Sequence, residues 1–206
     1  MRADRWNRRG GHKLKPTNRR EKPKQKFVGS IEELEKLGLA LVDTGWDAYY
    51  ALASFTNPKE GRTAVNAANL KSFFIDIDTH GKDSYETKEG TLEALNKLLE
   101  ATGLPEPTCV DSGGGIHAYW IMDRDIPYEE WKPLAEKFKT LCLKHIKIDT
   151  SVTADGARLM RCPDTLNYRY DPPALAQVIS EVSVYDFDEF KEFVDTQEED
   201  KPVDPL

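Results

Sequence analysis

Phe73-Phe74-Ile75-Asp76-Ile77-Asp78 decides how the rest of this 206-residue chain reads. Three apolar residues lead into a carboxylate, a β-branched residue and a second carboxylate, the pattern of a buried strand that ends in acid. Residues i and i+2 of a strand point to the same face with Cα atoms roughly 7 Å apart, so Asp76 and Asp78 project side by side. Two ionised carboxylates brought to about 4 Å repel by about 4 kcal/mol at an effective dielectric of about 20. Hard divalent cations remove that repulsion, and Mg²⁺ is typically held by one or two carboxylates together with substrate phosphates. An acidic strand end facing solvent is the alternative, and the residues elsewhere in the chain have to separate the two.

Upstream, Ser30-Ile31-Glu32-Glu33 has the Ser-x-x-Glu pattern of a capping box, and Ile31, Leu34 and Leu37 follow at helical spacing before Gly38. Trp46 to Phe55 reads as a strand that enters the Thr56-Asn57-Pro58 turn. Residues 61–69, including Arg62, form a polar connection to the acid-tipped strand at about 71–78. Downstream, 79–90 reads as an exposed loop. Thr91 caps a helix with Leu92, Leu95, Leu98 and Leu99 on its apolar face, ended by Gly103-Leu104-Pro105. A strand at about 108–111 runs into Ser112-Gly113-Gly114-Gly115, and Ile116 to Ile121 returns as its hairpin partner.

Pro127 opens a helix to about His145 with Trp131, Leu134, Phe138 and Leu141 on one face. Lys147-Ile148-Asp149 reads as a short strand that again ends in an acid. A strand near Leu175–Ile179 and a helix near Asp186–Val194 follow. The order strand, helix, strand, strand, helix, strand over 71–149 implies an α+β class. The expected lobe is a ferredoxin-like, RNA-recognition-motif (RRM-like) antiparallel sheet, with a smaller N-terminal α/β lobe beside it.

The net charge of −7 hides an asymmetry. Residues 1–27 hold eleven Lys or Arg against Asp4 and Glu21, whereas the remainder carries 18 basic and 34 acidic residues. A basic arm on an acidic body suits contact with a polyanion, since neutralised phosphates release counterions; an unstructured solubilising leader is the other reading. Cys109, Cys142 and Cys162 are odd in number and lack Cys-x-x-Cys spacing, which argues for a reducing compartment and against structural zinc. No apolar run reaches the length of a membrane span, so a cytoplasmic location is expected. The divisions expected are a basic arm over 1–27, a two-lobed body over 28–195 and an acidic, proline-bearing tail over 196–206.

Several residues carry chemistry. The Ser112 to Gly115 bend lets backbone N–H groups approach an anion, because glycine has no Cβ to block them. His117 follows as a donor for phosphate or as a core histidine beside Tyr119. Asp149 could supply a third metal carboxylate. Arg158 and Arg161 suit bidentate phosphate recognition, or surface salt bridges.

Taken in order, Phe-Ile-Asp-Ile-Asp, Ser-Gly-Gly-Gly-Ile-His-Ala-Tyr-Trp, Ile-Asp, and Arg-Leu-Met-Arg-Cys-Pro-Asp-Thr-Leu-Asn resemble the archaeo-eukaryotic primase (AEP) superfamily. The likeness is to the primase-polymerases (prim-pols) of phages and mobile elements, and it covers about residues 46–180. It implies a prim-pol fold with Asp76, Asp78 and Asp149 binding two divalent ions, Mg²⁺ or Mn²⁺, and with His117 completing the catalytic set. It implies nucleotide binding by Ser112, Gly113, Gly114, Gly115, His117, Arg158 and Arg161.

The implied activity is template-dependent nucleotidyl transfer, as a primase or polymerase in phage or mobile-element replication. Implied partners are single-stranded DNA template, nucleoside triphosphates and a helicase module or other replication proteins. The alternatives are a non-catalytic replication-initiator module and a metal-dependent nuclease. Two positions depart from the family pattern. Gly115 stands where Ser-x-His would place serine, and Asp164 replaces the glycine of Pro-Gly-Thr.

Overall fold

A computed structural model describes residues 25–42, 46–80 and 84–199. The basic arm up to residue 24, with Trp6, and the tail from residue 200 lie outside the described residues. The central sheet has five antiparallel strands, and its two longest are β3 (Ala67–Asp78) and β5 (Gly115–Pro127). The hairpin partner of β5 is β4 (Thr108–Asp111), as its turn chemistry implied, and β9 (Gln177–Ser180) forms one edge. At the other edge β2 (Ala53–Phe55) pairs with the first part of β3, giving the order β2-β3-β5-β4-β9.

The register places Asp76 opposite His117, Asp78 opposite Gly115 and Phe73 opposite Trp120. Side chains alternate between faces. Phe73 therefore turns to the face covered by α3 (Tyr128–Leu143) and α4 (Phe187–Glu199). Its ring lies 5.0 Å from Phe190, 6.0 Å from Trp131 and 6.0 Å from Phe138, centroid to centroid. Trp131 also donates its indole N–H to the Ser72 carbonyl at 3.0 Å, which fixes α3 against β3. The same strand thus buries one row of side chains under aromatic helices and presents Asp76 and Asp78 on the other face.

Above that other face lie two small antiparallel pairs. One joins β1 (Tyr49–Ala51) to β6 (Leu159–Arg161), and the second joins β7 (Leu166–Asn167) to β8 (Ala174–Leu175). The expected continuous strand from Trp46 to Phe55 is therefore two strands in different sheets, separated by Leu52. The strand expected near Leu175–Ile179 is likewise divided between β8 and β9.

Helix α1 (Ile31–Val42) starts as its capping box implies. Ser30 Oγ accepts from the Glu33 N–H, and the Glu33 carboxylate reaches back to the Gly29 N–H. Helix α2 (Lys88–Thr102) is capped by Thr87, not Thr91, and ends at Gly103 in the left-handed region. Thr87 can accept from the Gly90 N–H, whereas the Thr91 hydroxyl turns back to the Lys88 carbonyl, so the earlier threonine takes the cap. Helix α4 runs to Glu199, past the Thr196 boundary read from composition.

The largest departure concerns Lys147-Ile148-Asp149, which forms no ladder. Its connection to the sheet is one hydrogen bond, from the Asp149 N–H to the Asp76 carbonyl at 2.9 Å. The ferredoxin-like fourth strand is thus reduced to a single tether, while β2 occupies the rest of that edge of β3. Replacing Phe73 with Ala removes the centre of the aromatic cluster and should destabilise the fold by about 3–5 kcal/mol in a denaturant titration. A loss below about 1 kcal/mol would contradict this account of the core.

Candidate metal centre and phosphate site

The end of β3 and the turn that begins at Asp149 bring three carboxylates together. One oxygen each from Asp76, Asp78 and Asp149 lies within 4.8 Å of the other two. Local bonds fix each acid. Asp76 and Asp78 are held by the β3–β5 register, and Asp149 is held by its backbone tether to Asp76. The Asp149 Oδ1 accepts from the N–H and hydroxyl of Ser151, at 2.8 and 2.7 Å, which leaves Oδ2 free of those bonds.

Burial pushes the Asp76 carboxyl well above its usual range, and the charges of Asp78 and Asp149 push it further. Burial also raises Asp78, again with help from Asp149. Asp76 Oδ1 is buried with no hydrogen-bond partner among the described residues. A buried acceptor left unpaired costs about 1–3 kcal/mol or more. Three converging carboxylates with an orphaned oxygen fit a hard divalent cation, which would supply both the counter-charge and the missing partner.

His117 stands across the sheet from Asp76. Its Nε2 is 3.8 Å from Asp76 Oδ1, beyond hydrogen-bond reach, and its Nδ1 shares a 3.1 Å hydrogen bond with the Tyr119 hydroxyl. Burial, followed by the nearby Arg161 and Arg158 charges, drives the imidazole down to about 3, so it is neutral at ordinary pH. Tyr50, itself pushed up to about 12 by burial, is hydrogen-bonded to Tyr119. A Tyr50–Tyr119–His117 chain therefore orients the ring. Its tyrosines come from strands whose meeting the sequence pattern did not disclose.

The glycine bend is held by its own side chains. The Ser112 hydroxyl donates to the Gly115 carbonyl at 3.1 Å and accepts from the Gly114 N–H at 3.4 Å, while the Gly113 N–H donates to Asp111 at 2.7 Å. These two amides are thus engaged within the bend. Gly113 has φ +84°, and a Cβ there would fall 2.9 Å from that of Ala174. A Cβ on Gly115 would meet the Ile77 carbonyl at 2.4 Å, so only glycine lets β5 start against the end of β3.

The two arginines separate. Arg161 is buried, donating from Nη1 to Asp47 at 2.8 Å and from Nη2 to the Tyr49 hydroxyl at 2.6 Å. Arg158 has no such anchor. Its Nη2 is 3.8 Å from Asp149 Oδ2, and its Nε is buried without a partner.

No family model and no curated protein matches the sequence. Among solved structures, the chain superposes on the AEP domain of the cyanophage S-2L primase-polymerase with a TM-score of 0.61 at 19% identity, covering 84% of this chain and 81% of that one. The fold is that of an AEP prim-pol. Asp76, Asp78 and Asp149 come together at the end of β3, with His117 beside Asp76 and Arg158 beside Asp149. Arg161 is buried against Asp47 and Tyr49, and Ser112 shapes the bend. No helix among the described residues is long and apolar enough to cross a membrane. All three cysteines are buried and free.

A raised carboxyl value means that the metal-free fold is penalised as pH rises and the acid ionises. Metal-free Asp76→Asn should therefore melt higher than the wild type, with an advantage that grows as pH rises past the ordinary carboxylate value of about 4. Adding Mn²⁺ should raise the wild-type melting temperature and leave the variant little changed. Equal melting curves across this range would refute the electrostatic account.

Proposed function

We propose that this chain is a template-dependent nucleotidyltransferase, a DNA primase or polymerase acting in phage or mobile-element replication. The observation that carries the reading is the cluster of Asp76, Asp78 and Asp149 within 4.8 Å of one another, with the orphaned Asp76 oxygen, on an AEP prim-pol fold. The cyanophage protein is a primase-polymerase, and the same class of reaction is proposed here.

Asp76, Asp78 and Asp149 would hold divalent cations, Mg²⁺ or Mn²⁺. When bound, such cations lower the pKa of an attacking 3′-hydroxyl and stabilise charge on the leaving pyrophosphate. The remaining work belongs to the chain. His117 is fixed at Nδ1 by Tyr119 and would meet a phosphate oxygen through Nε2, without titrating near neutral pH. Arg158 stands beside Asp149 with an unpartnered Nε, suited to charge on the triphosphate. The bend from Ser112 to Gly115 sets the approach of β5, so that His117 faces Asp76. Catalysis would then rest on positioning and charge stabilisation. The basic arm over 1–27 would add affinity for the single-stranded template, and a helicase module would be a partner in replication.

The test supplies the full chain with single-stranded DNA template, deoxy- or ribonucleoside triphosphates and Mn²⁺ or Mg²⁺, with and without a primer. Template-dependent product is expected. The Asp76→Ala, Asp78→Ala double variant should lower it by more than the 10–100-fold typical of residues outside the ligand shell. Shortening of labelled DNA in place of extension would assign a nuclease. DNA binding without metal dependence or product would assign a non-catalytic module.

A further inference from the structure

His117 and Tyr119 stand two residues apart on β5, so both side chains leave the sheet on the face that bears Asp76. They are 5% and 4% exposed, and their rings meet edge to face. The Tyr119 hydroxyl lies 3.1 Å from His117 Nδ1. Tyr119 is also hydrogen-bonded to Tyr50, which comes from β1.

A neutral imidazole holds one N–H, and the nitrogen that carries it sets what the ring offers the carboxylate cluster. A proton on Nδ1 would be given to the Tyr119 oxygen, leaving a bare Nε2 lone pair 3.8 Å from Asp76 Oδ1. That oxygen is itself a buried acceptor without a partner among the described residues. Two acceptors would then face each other in a buried site, where unpaired acceptors are costly.

A proton on Nε2 reverses this. Tyr119 donates to Nδ1, the Nε2–H turns its positive end toward Asp76, and Tyr50 can fill the Tyr119 oxygen with its own proton. Burial pushes both phenols up, so each keeps the proton that the chain requires. The distinction decides chemistry. A bare Nε2 can take a proton from an attacking hydroxyl, whereas the Nε2–H of a neutral ring can only donate to an anionic oxygen.

We infer that Tyr119 is a positioning residue: its hydroxyl donates to His117 Nδ1, fixes the Nε2–H tautomer and makes His117 a hydrogen-bond donor at the carboxylate cluster, not a general base. On the nucleotidyltransferase reading, on which the choice of ligand rests, the acceptor is a phosphate oxygen of the nucleotide. The tautomer itself does not rest on that reading.

The first measurement is a long-range ¹H–¹⁵N correlation spectrum of the full chain carrying ¹⁵N-histidine, with and without Mg²⁺. His117→Asn identifies the His117 signals. In the wild type the protonated nitrogen should be the one coupled to both ring C–H protons, which is Nε2, and Nδ1 should have the shift of a hydrogen-bonded acceptor. Tyr119→Phe removes one oxygen and keeps the ring, and it should move Nδ1 toward the value of an unbonded acceptor. The second measurement is primer extension. Tyr119→Phe should raise the nucleotide KM about tenfold, the scale of one hydrogen bond to a charged group, with a smaller change in kcat. Tyr50→Phe should shift both readouts the same way and by less.

A wild-type ring protonated at Nδ1, or an Nδ1 signal unmoved in Tyr119→Phe, would overturn the inference. An unchanged KM beside a shifted signal would overturn the positioning role. If Tyr119→Phe does not fold in a thermal melt, the wild-type spectrum still decides the tautomer and Tyr50→Phe carries the kinetics. A wild type that shows Nε2–H but makes no product would overturn the nucleotidyltransferase reading and leave the tautomer assignment in place.

Discussion

Three carboxylates confined within 4.8 Å, one buried with an unpartnered oxygen, form the constraint on which the rest of the structure depends. Each ionised pair at that separation repels by about 3–4 kcal/mol at an effective dielectric of about 20. Something elsewhere must hold the acids together. The opposite face of β3 does so, because Phe73, Ile75 and Ile77 are fully buried, and Phe73 sits among the rings of α3 and α4. Pulling Asp76 away from its neighbours would draw that row out of the core. Hydrophobic burial on one side of a strand thus enforces electrostatic crowding on the other.

The same division of labour separates the arginines. Arg161 spends its guanidinium on Asp47 and Tyr49 and ties β6 to β1. Breaking such a buried pair leaves an uncompensated charge and costs about 3–5 kcal/mol. Arg158 lies three residues earlier, before β6 begins, and gains its position from that anchor without sharing its bonds. One arginine fixes the strand so that the next is held near Asp149 with its Nε unpartnered.

The sequence showed most clearly what depends on short-range pattern. The acid-tipped strand, the glycine bend with its return strand and the apolar faces of α2 and α3 follow from alternation, turn residues and helical spacing, and all are present. The convergence of Asp149 on Asp76 was legible only as an order of motifs. Its agent is a backbone bond between residues 73 apart, while the residues expected to form a strand there form none. Pairings such as Arg161 with Asp47, across 114 residues, leave no periodic trace.

The two departures from the family pattern now have a physical account. At Gly115 a side chain would strike the Ile77 carbonyl, so the position two before His117 has no room for serine's Cβ. A hydroxyl is retained three residues earlier, where Ser112 closes the bend onto the Gly115 carbonyl. Asp164, in place of glycine, has φ +60°, in the left-handed region that Asp tolerates better than most residues. Its N–H donates to the Ala176 carbonyl at 2.8 Å, which keeps the turn closed. Both substitutions therefore preserve backbone geometry and change which side chains are offered to a ligand. On the proposed reading, a serine occupied within the bend leaves phosphate recognition to His117 and the arginines.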